Sequence, residues 1–261
     1  MPSVAVNGTK AHYREWGNGS RTILMLHGWP ADSSHYTELG PALAKHGYTV
    51  IVPDFPGFGQ TPPPPQAWKV SDYRDWVHAF LEAKNIKSMI LFGHSFGGRV
   101  SIKYAINHAY QIEKLILCAS AGIKTNDRTP KRKALSIAAR AGKKLFRLPG
   151  VRMAETAAKK LLYRLAGSKD YFNATGVMKQ TIVKVLEEDL SPFLPQITIE
   201  TLLLWGTEDG ATPLSDAKKM HALIPNSTLT TFQGQKHNLV RLIPQELAKE
   251  IDAFVRRQST T

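Results

Sequence analysis

The segment Ile90-Leu91-Phe92-Gly93-His94-Ser95-Phe96-Gly97-Gly98 sets a serine in a Gly-x-Ser-x-Gly pattern, behind an apolar run and ahead of residues 99–108, which have helical character. A serine hydroxyl is a useful nucleophile only when it is exposed and a base can take its proton. A tight strand-to-helix turn lifts the serine above a sheet, and Gly93 and Gly97 remove the Cβ atoms that would clash there. The helix that follows aims free backbone N–H groups at the same point. Ser95 is therefore the candidate nucleophile. The five residues alone are a weak pattern, and the strand before and helix after give it weight. His94, inside the turn, reads as a packing residue rather than the base. The nine histidines are scattered with no paired carboxylates at ligand spacing, so no metal is expected, and the chemistry of an activated serine needs no cofactor.

Such a turn needs a sheet to stand on. Residues 4–6 and 11–16 flank Asn7-Gly8, a pair that tolerates positive φ and signals a hairpin. Further strands are expected at 22–26, 49–52, 88–92, 114–119, 201–205 and 228–232, eight in all. Helical spacing links Tyr73, Trp76, Val77, Phe80 and Leu81 behind a Ser71 cap, and Leu247, Ala248, Ile251, Phe254 and Val255 near the C-terminus. Thr212-Pro213 reads as a cap and first-turn proline. Strands alternating with helices imply an α/β fold with a mostly parallel eight-stranded sheet, helices on both faces, and the hairpin as an antiparallel edge. The rhythm breaks over 121–199, where helices are expected at 131–144, 154–165 and 178–190. The chain thus reads as a core of residues 1–120 and 200–261 with a helical cap inserted at 121–199. The single cysteine, Cys118, lies in the apolar run Leu115-Ile116-Leu117-Cys118-Ala119 and reads as buried core, which rules out an intrachain disulfide.

Taken together, these motifs resemble the α/β-hydrolase superfamily over nearly the whole chain. The resemblance is carried by Leu26-His27-Gly28-Trp29-Pro30, by the serine turn, by Trp205-Gly206-Thr207-Glu208-Asp209 followed by Pro213, and by Gly234-Gln235-Lys236-His237. It implies that the backbone N–H groups of Trp29 and Phe96 form the oxyanion hole, that Asp209 is the acid and that His237 is the general base. Glu208 is the competing acid and reads as a solvated loop charge. His27 is expected to brace its loop rather than to take part in chemistry. The order Ser95, Asp209, His237 is the one this fold uses. Where many relatives have a second glycine in the histidine loop, this chain has Lys236.

The resemblance implies a serine hydrolase that cleaves a carboxylic ester or lactone of a small-molecule acyl substrate through an acyl-enzyme. A serine at position 95 argues against branches whose nucleophile is a carboxylate. Carbon–carbon bond hydrolases and cofactor-free perhydrolases share the triad and stand as alternatives, as does a non-catalytic ligand receptor on the same fold. The substrate pocket is expected to include Trp29, Phe96, Tyr163, Phe172 and Leu239.

Charge is unevenly placed. Of a formal net charge of +13, residues 124–169 supply fourteen Lys or Arg against two acids, Asp127 and Glu155. Their amphipathic spacing suits a cap lying over the site, and a contact with anionic membrane surfaces is the sharper alternative. No nucleic-acid motif accompanies the charge, so no nucleic-acid partner is expected. The N-terminal residues lack a positive region followed by an apolar stretch, which gives cytoplasmic as the expected location.

Overall fold

Continuous apolar runs such as Ile23-Leu24-Met25-Leu26 and Leu202-Leu203-Leu204-Trp205 suit strands that are covered on both faces. A computed structural model describes residues 1–123 and 174–257. In it, β1 (Ser3–Val6), β2 (Thr9–Trp16), β3 (Arg21–Leu26), β4 (Tyr48–Pro53), β5 (Met89–His94), β6 (Ile112–Cys118), β7 (Thr201–Gly206) and β8 (Ser227–Phe232) form one sheet. Its order is β1-β2-β4-β3-β5-β6-β7-β8. The first two strands make the expected hairpin, with Asn7 at φ 49° and Gly8 at φ 77°. β2 runs antiparallel to β4, and every later pairing is parallel.

Side chains alternate across each strand, so the inner strands feed two apolar layers. Leu24, Leu91, Leu115 and Leu203 face α2 (Val70–Ala83), α3 (Phe96–Asn107) and α5 (Leu214–Leu223). Ile23, Phe92, Ile116 and Leu204 face α1 (Leu39–Lys45), α6 (Leu239–Leu242) and α7 (Pro244–Arg256). Cys118 is fully buried in this second layer. The apolar residues picked out by spacing in α2 and α7 are all buried.

Two helix starts differ from the sequence reading. Helix α2 begins at Val70, ahead of Ser71, because Asp72 reaches back 2.7 Å to accept from the Lys69 N–H. Helix α5 begins after Pro213, and the Thr212 hydroxyl turns inward instead of capping it. The end of α7 is tied to the sheet by Lys114, which is 4% exposed and donates to the carbonyls of Phe254 and Arg257 and to Glu200.

Of the insertion expected at 121–199, the two ends are described. The Leu190 N–H donates to the Gly122 carbonyl at 2.8 Å and Arg99 of α3 donates to the Glu188 carbonyl at 2.8 Å, so the chain leaves and re-enters the core at neighbouring points. Between them α4 spans Gly176–Glu187, close to the third helix expected there. The helices expected at 131–144 and 154–165 and the basic stretch 124–169 lie outside the described residues. Among the described residues, no helix is long and apolar enough to cross a membrane.

Candidate active site

Ser95 stands at the end of β5 with φ 52° and ψ −110°, a backbone conformation that L-residues rarely adopt. Neighbouring backbone holds it there: its N–H donates to the Cys118 carbonyl and its carbonyl accepts from the N–H groups of Gly98 and Ala121. The flanking glycines are required by contact. A Cβ on Gly97 would lie 2.1 Å from the Leu26 carbonyl oxygen, and one on Gly93 would lie 2.4 Å from the Ser101 hydroxyl. Gly28 meets the turn from the other side, where a Cβ would stand 3.2 Å from that of Ser95.

His237 arrives on the loop after β8. Gly206, at the end of β7, lets this loop pack closely, since a Cβ there would fall 2.2 Å from the Gln235 carbonyl oxygen. The ring bridges the site: Nδ1 lies 2.8 Å from Asp209 Oδ2 and Nε2 lies 3.0 Å from Ser95 Oγ. An ionised carboxylate only accepts, so Nδ1 carries the hydrogen and Nε2 is free to accept from the serine hydroxyl. The Asp209 side chain is fully buried. Burial pushes its acidity down, but the hydrogen bond and charge of His237 and the donors of Thr212 outweigh that and hold the carboxyl below its usual range. Glu208 is exposed, and Asp209 is the carboxylate that faces the ring.

The two other histidines are spacers. His94 donates from Nε2 to the His237 carbonyl at 3.1 Å, with the two rings 5.1 Å apart. Burial, and then the nearness of His237, push its pKa down to about 3, so it stays neutral. His27 accepts the Phe55 N–H at Nε2 and donates from Nδ1 to the Gly28 carbonyl, while burial lowers its pKa to about 4. The Gly28 carbonyl also accepts from the Ala31 N–H. Because a peptide is planar and its C=O and N–H point oppositely, pinning that carbonyl fixes the direction of the Trp29 N–H. Phe96 is the first residue of α3, so its N–H has no partner within the helix.

The Trp29 side chain is partly exposed and packs edge-on against Phe58 at 4.6 Å and Phe96 at 5.6 Å. Phe96 is 3% exposed, beneath Trp29 and against Tyr73. Leu239, expected in the pocket, is instead fully buried in the layer beneath α6 and α7, because α6 starts there and turns it inward. Tyr163 and Phe172 lie outside the described residues.

Two residues have roles at the site that went unread in the sequence. Thr212 donates its N–H to Asp209 Oδ1, and its hydroxyl lies 2.9 Å from Asp209 Oδ2 and 3.3 Å from His237 Nδ1. The signal was available, since a Thr three residues after an Asp is placed to close a local turn. Asp54 accepts the N–H groups of Ser33 and Gln60, tying the loop that carries Trp29 to the one that carries Phe58. Among the described residues, no group of three or more His, Cys, Asp or Glu is placed to hold a metal ion.

The arrangement can move a proton from a serine to a carboxylate-held imidazole. A profile of the alpha/beta hydrolase fold matches residues 21–240. An uncharacterized protein of Mycobacterium tuberculosis is 25% identical, with 89% of this chain and 74% of that one aligned. A non-heme chloroperoxidase of Streptomyces lividans is also 25% identical, over 96% of this chain and 97% of the other. Among solved structures, a bacterial membrane phospholipase A superposes with a TM-score of 0.78 at 25% identity, covering 98% of this chain and 86% of that one. An esterase from Exiguobacterium antarcticum gives 0.75 at 22% identity, covering 98% and 99%, a likeness of fold.

Proposed function

The chain belongs to the alpha/beta hydrolase fold family, and from that premise we propose that it is a serine hydrolase cleaving a carboxylic ester or lactone through an acyl-enzyme on Ser95. The observation that carries the reading is the single ring of His237 standing between Ser95 Oγ at 3.0 Å and Asp209 Oδ2 at 2.8 Å. His237 Nε2 takes the hydroxyl proton as Ser95 Oγ attacks the acyl carbonyl. Negative charge gathers on the carbonyl oxygen, where the N–H groups of Trp29 and Phe96 receive it. The imidazolium then gives its proton to the leaving alkoxide, which in a lactone stays tethered to the acyl group. Water, deprotonated by the same nitrogen, releases the acid and restores the serine. Asp209 stays ionised throughout and keeps the ring in the tautomer that can accept.

Labelling by a fluorophosphonate probe, with turnover of nitrophenyl esters and lactones, tests this. The wild-type protein is expected to label at Ser95 and turn over repeatedly, and Ser95→Ala to do neither. Labelling that survives in Ser95→Ala overturns the assignment. Binding without turnover favours a receptor. The 25% identity to a protein named non-heme chloroperoxidase favours one second reading, in which hydrogen peroxide takes the acyl group in place of water. Peracid formation from ester and peroxide separates the two.

A further inference from the structure

Asp209 accepts four hydrogen bonds. Ala211 N and Thr212 N reach Oδ1 at 2.8 and 2.9 Å, and His237 Nδ1 and the Thr212 hydroxyl reach Oδ2 at 2.8 and 2.9 Å. A carboxylate offers about four lone-pair sites, so this one is saturated. Its side chain is fully buried, out of reach of bulk solvent. Thr212 is itself 7% exposed, and its backbone is locked in turn, because its carbonyl accepts from the indole N–H of the fully buried Trp205 at 2.8 Å.

The hydroxyl has a choice of acceptor. It carries one proton and lies 2.9 Å from Asp209 Oδ2 and 3.1 Å from the Ala119 carbonyl. The ionised carboxylate is the nearer and the stronger acceptor. Turning the proton to Ala119 would also leave two oxygens facing each other at 2.9 Å without a hydrogen between them. We infer that Thr212 is a positioning residue whose hydroxyl donates to Asp209 Oδ2, fixing the carboxylate against the His237 ring and sharing the charge that would otherwise act on that ring alone. Ala119, on the other side of the hydroxyl, lies between Cys118 and Ala121, whose backbones hold Ser95 from both sides. One side chain therefore touches the acid directly and abuts the strand end that holds the nucleophile.

This inference rests on the serine-hydrolase reading only for its meaning, since the hydrogen bond itself is measurable without substrate. Removing the donor leaves the carboxylate's charge less shared, so it grips the protonated ring more firmly and the ring releases its proton at higher pH. The other groups facing the pair are fixed in charge or held outside. His94 stays neutral, burial pushes the Cys118 thiol up, His35 acts on His94 through its charge and is common to all the variants, and Glu208 and Lys236 are exposed on their loops. The test follows the His237 ring by NMR through a pH titration in wild type, Thr212→Val and Thr212→Ser, with the resonance assigned by its loss in His237→Gln. Thr212→Val keeps the shape and removes the hydroxyl, and its His237 midpoint is expected to move up by roughly half a pH unit or more. Thr212→Ser, which keeps the hydroxyl, is expected to overlay the wild type. A Thr212→Val midpoint equal to wild type, or a Thr212→Ser midpoint shifted like that of Thr212→Val, overturns the inference. Fluorophosphonate labelling of the same samples reads the hydrolase assignment separately: absent labelling with a shifted midpoint sinks the hydrolase and keeps Thr212.

Discussion

At the residue scale, the site works by denying each side chain its alternatives. Ser95 is held at positive φ by three backbone hydrogen bonds, His237 is held in one tautomer by Asp209, and Asp209 is held by every lone pair it has. Asp209→Asn tests this most sharply. The new side chain still accepts the Ala211 and Thr212 N–H groups at Oδ1, so the fold is expected to persist. Its amide nitrogen then faces His237 Nδ1 as a donor, which drives the ring hydrogen to Nε2, where it points at the serine and blocks proton transfer. Ester turnover is expected to fall by roughly 10³–10⁴-fold with the melting temperature little changed; a loss of less than tenfold would remove Asp209 from the mechanism. Ser95 was legible because its motif is local, strand to glycine to serine to glycine to helix. Asp209 and His237 were legible through loop motifs and chain order. Thr212 was not, because its place ahead of Pro213 suits a helix cap as well as a turn closed on Asp209, and the sequence does not say which of the two its hydroxyl serves. Leu239 was misread for a related reason: adjacency in sequence to the His237 loop says nothing about which layer a short helix turns its first residue into.

At the scale of elements, the geometry of Ser95 is set by how closely α3 approaches β3. Gly97 is the contact point, with its missing Cβ only 2.1 Å from the Leu26 carbonyl oxygen and 2.8 Å from that of His27. Those atoms are backbone of the last residue of β3 and of the residue that follows it, and β3 pairs with β4 and β5 on either side and cannot yield without moving the sheet. Gly97→Ala is therefore expected to push α3 outward, lower the urea midpoint by an amount equivalent to roughly 1–3 kcal/mol, and reduce turnover together with stability. An unchanged midpoint would mean that α3 is free to move. The inner strands β3 to β7 were legible because buried parallel strands are written as short apolar runs bounded by turn residues, and β1 and β2 were legible through the Asn7-Gly8 turn between them. Helix starts were less so. The choice between Ser71 and Lys69 as the first turn of α2 depends on the Asp72 carboxylate reaching back to Lys69, a contact that propensity does not encode.

At the scale of the whole molecule, the two neutral histidines at the top of the sheet make its stability depend on pH. His27 and His94 are buried at the ends of β3 and β5, and burial lowers their pKa values from 6.5 to about 4 and about 3. Their folded values lie below their unfolded ones, so the unfolded chain binds protons first as pH falls. Their stabilising effect is complete above about pH 6.5 and is lost progressively as pH descends toward 4 and then 3. Asp209 acts in the same direction but lower on the scale. Its folded pKa also lies below the unfolded value of 3.8, so it contributes to acid unfolding only beneath that point. A decline in stability that begins between pH 6.5 and 5 is therefore the signature of the histidines. His27→Gln separates the two contributions, since an amide can accept from the Phe55 N–H and donate to the Gly28 carbonyl without titrating. Denaturant midpoints measured from pH 7.5 to 5 are expected to fall for the wild-type protein and to fall less steeply for His27→Gln. Parallel curves for the two proteins would show that His27 takes up its proton as readily in the native state as in the unfolded chain, and would remove it as the neutral brace that aims the Trp29 N–H.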